Sequence, residues 1–416
     1  RQIDLSLIDP LLTGIVSQTK GMSQVDVRLS GTRGSLDMDG SLRVNDFATR
    51  VDFTGAEYKT DRLEIDFNNN QGTISPFRLS DNENGWAEAE GYINFKRLDN
   101  IDFGFSLVPH NLVAIDLAAN QSTPFYGKVY ASGGLHLLSK NGTTEISGAI
   151  STGSGSVFNI PLQGNNDFAG ADFVTFVNRS EIVEEEHSVV AQKRYELSNP
   201  TKNNAKGNLT MDVMLGVDTD TQLRLLIDPA TDNVIEARGV ADLGITLDSR
   251  KKDLAIRGDY QISEGVYNFN FQNLITKQFT INSGSFLRWN GNPLDADIDI
   301  GATYKLKTSL APLLGAESSA SRASTPVECI VNLTGSLSKV DVSFDINVPT
   351  ANTEYQSILS SYFSSQEMMA TQFVYLLALG NFYSDTTGPS TTAGTAGTAI
   401  GLDFLASQVS RLVSND

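Results

Sequence analysis

The side chains best suited to chemistry are few and scattered. Three histidines, His110, His136 and His187, stand in separate turns and strands. His187 closes the run "EIVEEEH", where Glu184 has the type to join it as a metal ligand, but a charge run of this kind reads first as a solvated loop. Asp218 and Asp220 in "DTD" have the spacing of the first calcium-loop ligands and equally that of a hairpin turn, which is the preferred reading. Gly153 and Gly155 begin a dinucleotide-binding pattern, yet Phe158 occupies the position of its third glycine, and neither a nucleophile elbow nor a Walker loop occurs. Most of the 49 acidic residues, Asp295, Asp297 and Asp299 among them, alternate with apolar neighbours as outward strand positions do. Cys329 is the one cysteine, which excludes a disulfide framework and a cysteine-based zinc site. No catalytic residue, metal or cofactor is expected.

What the sequence does carry is alternation. In "LDADIDIGATYKLK", from Leu294 to Lys307, every even position is apolar or aromatic and every odd one is Asp, Gly, Thr or Lys. That is a strand with one dry face and one wet face. Similar runs fill residues 21–162, with turn signals about every 8–12 residues, the spacing of all-β architecture. They resume at "NLTMDVMLGV" and continue to "KVDVSFDIN". The net charge of −18 argues against nucleic acid and against simple adhesion to anionic headgroups. No run approaches the ~20 apolar residues of a membrane-spanning helix. The opening "RQIDLSLIDP" reads as the interior of a longer protein, with any targeting segment upstream.

The organisation follows from these shifts in pattern. Residues 1–162 form a repetitive β region, and 163–206, with their charge run and polar tract, form a mobile insertion. A second β region spans 207–349. Helical spacing appears only in 350–383, where "SSQE" offers a capping box with Ser364 as cap and Glu367 three residues on. Met369, Phe373, Leu376 and Leu377 then make an apolar stripe ending at Gly380. A Ser/Thr/Gly linker over 384–400 leads to a last amphipathic helix over 401–416.

About twenty strands with dry faces cannot be covered by so few helices. Two stacked sheets, a closed barrel, or one long sheet curled round its own dry side remain. Ala241 and Gly239 beside Leu243, and Ala296 and Ala302 beside Ile298, would leave room inside; composition by itself still favours a packed sandwich.

"GDYQISEGVYNFNF…KQFTINSGSFLRWNGNPLDADIDIGATY" resembles the signature of the TamB family's C-terminal domain, through Gly258, Tyr260, Ile262, Gly265, Tyr267 and Phe269. The likeness continues in Phe279, Ile281, Gly284, Phe286, Trp289, Gly291, Pro293, Ala302 and Tyr304. "DFVTFVN", "VECIVNLTGSL", "VSFDINVP" and "QFVYLLALGNF" add to it, so the likeness runs from about Asp172 to Phe382, while residues 1–160 match only in style. The family's terminal strands beyond the last helix are not matched.

The resemblance implies a long curled antiparallel, meandering sheet forming a taco-like groove, dry inside, related to bridge-like lipid-transfer proteins. It implies a non-enzymatic periplasmic conduit for phospholipid between the two membranes of a bacterium. It also implies an upstream inner-membrane anchor and an outer-membrane barrel of the TamA/BamA family as partner. The physics is compatible. Twenty strands at ~4.8 Å spacing make a trough of roughly 100 Å. A phospholipid with ~30 methylenes, each costing about 0.8 kcal/mol in water, faces a barrier on the order of 20 kcal/mol without such shelter. The expected groove lining is Leu209, Met211, Val213, Leu215, Leu223, Leu225, Ala241, Leu243, Ile245, Leu247, Leu254, Ile256, Tyr260, Ile262, Ile298, Ile300, Val331, Leu333, Val342 and Phe344. Tyr260, Tyr267, Phe269 and Trp289 either contact lipid or close the groove as core. Met369, Phe373, Leu376 and Leu377 are expected to cap its mouth, with a membrane-interface helix as the alternative. Three other functions compete: an assembly factor for outer-membrane proteins working by β-augmentation, an inert spacer or adhesin, and, well behind, a hydrolase.

Overall fold

A computed structural model of the chain describes residues 2–6, 9, 16–32, 35–52, 54–97, 100–119, 125–140, 142–161, 208–228, 232–251, 253–271, 275–315 and 322–384. The stretch read as a mobile insertion, the linker beyond Ser384 and the terminal amphipathic segment lie outside these residues.

The described strands are β1 (Gln2–Asp4), β2 (Val16–Thr32), β3 (Ser35–Val51), β4 (Glu57–Asn68), β5 (Gln71–Ser80), β6 (Trp86–Arg97) and β7 (Asn100–His110). They continue with β8 (Leu112–Leu117), β9 (Tyr126–Lys140), β10 (Thr143–Thr152), β11 (Val157–Pro161), β12 (Asn208–Val217) and β13 (Gln222–Asp228). The last are β14 (Asn233–Asp248), β15 (Asp253–Phe271), β16 (Ile275–Ile281), β17 (Phe286–Gly291), β18 (Asp297–Ser309), β19 (Ser324–Ser336) and β20 (Lys339–Asn347). The described α-helices are short: α1 (Ala311–Leu314), α2 (Thr353–Tyr362) and α3 (Gln366–Leu379). The protein is all-β, built on a large, mainly antiparallel sheet. Its residues fall into two compact units. The first holds the described residues of 1–157, 208–221 and 242–256, the second those of 158–161, 222–241 and 257–384.

In the first unit β2 to β7 form an antiparallel meander. Asn111, at φ 49°, bends the chain between β7 and β8, so that the long β9 pairs with β7 through Leu135–Ser139 and with β8 through Gly127–Ala131. One pairing departs from the meander that the sequence suggests: β10 runs parallel to β12, with Ile146 opposite Met211. Parallel neighbours need a crossover rather than a hairpin, and alternation within a strand carries no record of which strand lies beside it. The β5–β6 turn is pinned by Asp81, which accepts from Glu83 N, Gly85 N and Val113 N. Tyr58, whose hydroxyl donates to Val113 O, is pushed up to about 12 by its burial and by the Asp81 charge. Lys128 of β9 lies between Glu83 of that turn and Asp116 of β8, and the hydrogen bonds from Lys128 and Tyr130 hold the Glu83 carboxyl below its usual range.

In the second unit β18, β19 and β20 form an antiparallel ribbon. The polar faces carry directly opposed charges: Arg224 with Glu236, and Lys305 with Glu328. Both pairs are open to solvent, Lys305 most of all, and add register specificity more than stability. Asn352 caps α2, accepting from Tyr355 N. The cap of α3 is Ser365, which accepts from Met368 N, one residue later than the spacing suggests. Ser364 is otherwise engaged, its hydroxyl donating to Ser361 O at the end of α2. Gly380, at φ 71°, ends α3 in the left-handed conformation as expected.

Candidate functional site

The site is best sought where apolar side chains face something other than protein. In the first unit the registers place Val25, Leu42, Ile65, Ile74, Gly91, Phe105, Leu137, Ile146 and Met211 side by side, one per strand, across β2 to β7, β9, β10 and β12. This row is apolar from end to end. At ~4.8 Å per strand it runs roughly 38 Å. Ile65 and Ile74 are buried, and the other side chains in the row are half-exposed. The row next to it in sequence, on the opposite face, reads Asp26, Ser41, Asp66, Thr73, Tyr92, Gly104, Leu138, Glu145 and Thr210, so polarity switches with the pleat.

Two rings on the apolar face lie down rather than stand up. A Cβ at Gly91 would come within 2.8 Å of the Phe105 ring, and one at Gly72 within 2.7 Å of the Phe67 ring. Each phenyl covers the glycine opposite it, which supplies apolar surface without projecting far from the sheet.

The second unit treats the same pattern differently. Ile300, Val331, Leu333, Phe279 and Leu287 are fully enclosed. Phe373 of α3 stands 4.4 Å from Phe344, 6.2 Å from Phe279 and 6.5 Å from Phe269, measured between ring centroids. Buried residues lie all round α3, Gln372 included, so this is an enclosed helix and not the one-sided stripe read from the sequence. Gln372 ties down the chain that follows: its Nε2 donates to Tyr383 O and its Oε1 accepts from Tyr383 N. The cavity between β20 and the α2–α3 turn, lined by Ser343, Phe344, Phe363, Ser365 and Met369, is about 170 Å³.

The expected lining residues divide accordingly. Leu209, Met211 and Leu215 are half-exposed on β12, with Val213 buried between them. Leu243 is buried, and Ile245 and Leu247 are half-exposed toward the end of β14. Leu254 and Ile256 are half-exposed, while Ala255 between them is buried. Leu223, Leu225, Ala241, Tyr260, Ile262, Ile298, Ile300, Val331, Leu333 and Phe344 are all buried in the second unit, and Val342 is half-exposed there. Phe373, Leu376 and Leu377 are enclosed and Met369 is half-exposed. The room expected around Gly239, Ala296 and Ala302 is filled. The two alanines are inaccessible, and the Tyr260 ring lies over Gly239, where a Cβ would come within 3.0 Å of its Cζ. The Tyr260 hydroxyl is buried with no hydrogen-bond partner among the described residues, and burial raises its ionisation well above the usual range. The half-exposed apolar row also holds Phe105, Leu137 and Ile146, which the sequence reading did not single out because their alternation in "IDFGFSL", "YGKVYASGGLHLL" and "TEISGAIS" is weak beside glycine and serine.

No group of three or more acidic, histidine or cysteine side chains could hold a metal among the described residues. Asp218 O accepts from Thr221 N, the hydrogen bond of a turn. His110 stacks on Trp86 at 4.1 Å. Cys329 is inaccessible, opposite Tyr304 and Ile346, and burial pushes its thiol up to about 12. Alkylation of the native protein at pH 8 should therefore be more than about a hundredfold slower than that of free cysteine and become fast in denaturant; equal rates would mean β19 opens readily.

Among the described residues no helix is long and apolar enough to cross a membrane. The TamB C-terminal domain family matches residues 75–415. No curated protein matches the chain.

Proposed function

The chain belongs to the TamB family, and on that premise we propose that the apolar face of its first unit shelters phospholipid acyl chains in transit between the inner and outer membranes. The family is one of non-enzymatic transport and assembly modules of the bacterial envelope, with a role at the outer membrane. What supports the finer reading is the unbroken apolar row from Val25 to Met211, half-exposed along most of its length. A chain folded only for rigidity gains nothing from leaving this much apolar surface accessible, since each buried methylene would stabilise it by about 0.8 kcal/mol. A passing acyl chain covers the row, and the headgroup stays in water. None of the described residues of the row is charged, which suits movement along it. A periplasmic location, an inner-membrane anchor upstream and an outer-membrane barrel of the TamA/BamA family as receiver complete the reading.

Photocrosslinking amino acids test it. Placed at Phe105 or Ile146 they should label copurifying phospholipid, and placed at Glu145 or Ser147, on the other face, they should not. Lipid-free protein with unlabelled Phe105 and Ile146 would return the chain to the spacer reading. Crosslinks to unfolded barrel proteins along a strand edge would favour the assembly factor.

A further inference from the structure

We propose that Lys277 binds the phosphodiester of an acidic phospholipid on the apolar face of the second unit. The registers fix where this lysine points. Tyr267 opposes Phe279, and Phe269 opposes Lys277, so the odd residues of β16 share the face of these rings. Ile275, Phe279 and Ile281 are buried there, whereas Thr276, Gln278 and Thr280 are exposed on the other face, where Gln278 donates to Asn268. Among the described residues, Lys277 is the only charged side chain that β16 to β20 direct toward the apolar face.

Its described surroundings are aromatic rather than acidic. The ammonium lies 5.5 Å from the centroid of the Tyr304 ring. The carboxylates that form ion pairs on neighbouring strands, Glu328 and Asp259, are engaged on the polar face, and no described carboxylate pairs with Lys277. The Tyr304 ring offsets part of what a lone cation loses beside apolar side chains but does not neutralise it. A leucine here would fill the same space without that cost, so stability alone does not account for the lysine.

The class of ligand follows from what lies next to it. Lys277, Tyr304 and Leu306 are half-exposed, while Phe269 and Phe279 are buried against Phe373. An accessible cation thus borders accessible apolar surface at the margin of an enclosed cluster. The protein's net charge of −18 repels small soluble anions. An anion gains from approaching when it brings apolar surface with it, and an acidic phospholipid does so: an acyl chain lies along Tyr304 and Leu306 and the phosphate meets the ammonium. Phosphatidylethanolamine carries its own ammonium beside the phosphate and gains less. This inference rests on the reading that the apolar faces carry acyl chains.

The purified protein, equilibrated with vesicles of equimolar phosphatidylglycerol and phosphatidylethanolamine bearing identical acyl chains, is re-isolated and its bound lipids are quantified by mass spectrometry. The wild type should enrich phosphatidylglycerol by up to about fivefold, the scale of one half-exposed ion pair. Lys277→Met should carry lipid at the vesicle composition, and Lys277→Arg should keep the enrichment. Lipid carried without enrichment, or enrichment surviving in Lys277→Met, overturns the role of Lys277 and leaves the conduit reading standing. Protein that takes up no lipid overturns both. With oleate in place of phosphatidylglycerol, equal enrichment would mean a generic anion site and overturn the phosphodiester assignment.

Discussion

Replacing Phe373 with alanine is expected to lower the stability of the second unit by about 4 kcal/mol, the middle of the range for deleting a fully enclosed phenyl. The ring is inaccessible and touches Phe344, Phe279 and Phe269, residues brought in from three different strands. Its removal would leave a void that those rings can fill only by leaving their rotamers, so collapse recovers little. The effect can be read locally. The protein has two tryptophans: Trp86 lies in the first unit, and Trp289 in the second, where its Nε1 donates to Pro293 O. In a Trp86→Phe background, the urea midpoint of Trp289 fluorescence should fall sharply for Phe373→Ala and stay within about 0.5 kcal/mol for Leu379→Ala, a residue 54% exposed on the same helix. A small loss at Phe373 would mean that α3 does not hold the cluster together.

This enclosed cluster also marks how far the sequence could be read. The strands were legible because alternation has one cause, a sheet with one dry face, and it survives in most strands, from Val25–Val27 to Phe344–Ile346. The family signature was legible because Tyr260, Trp289 and their neighbours are aromatic at fixed intervals. What alternation does not encode is what lies across from the dry face. Leu209 and Leu333 read alike, yet the first is half-exposed and the second enclosed, because the difference is made by partners distant in sequence. Glycine misled for the same reason: Gly239 promised space, and Tyr260, a residue of the next strand, occupies it. The parallel pairing of β10 with β12 joins residues more than sixty positions apart, and no local pattern records it. Lys277 was invisible as a site, since one lysine in "ITKQFTI" looks like any outward charge until the register of β16 turns it inward.

Two adjacent aspartates in the apolar row of the first unit should stop lipid carriage without unfolding the protein. Leu137 and Ile146 face each other across β9 and β10 and are half-exposed, so Leu137→Asp with Ile146→Asp places both carboxylates in contact with water. The structural cost is limited to partial loss of two half-buried side chains and a like-charge pair worth about 1 kcal/mol or less. The cost to an acyl chain is larger. Two strands span roughly 10 Å, and about six methylenes crossing that gap without apolar cover lose roughly 5 kcal/mol at 0.8 kcal/mol each, more than a thousandfold in occupancy of that position. Copurifying phospholipid measured by mass spectrometry should fall at least about tenfold, because the intact parts of the row still hold some. The double variant Thr73→Asp with Ser147→Asp adds the same two negative charges on the polar face and should leave the lipid content unchanged. If both doubles keep their lipid while their unfolding midpoints match the wild type, the row from Val25 to Met211 is not the path, and its accessible surface must answer to some other partner.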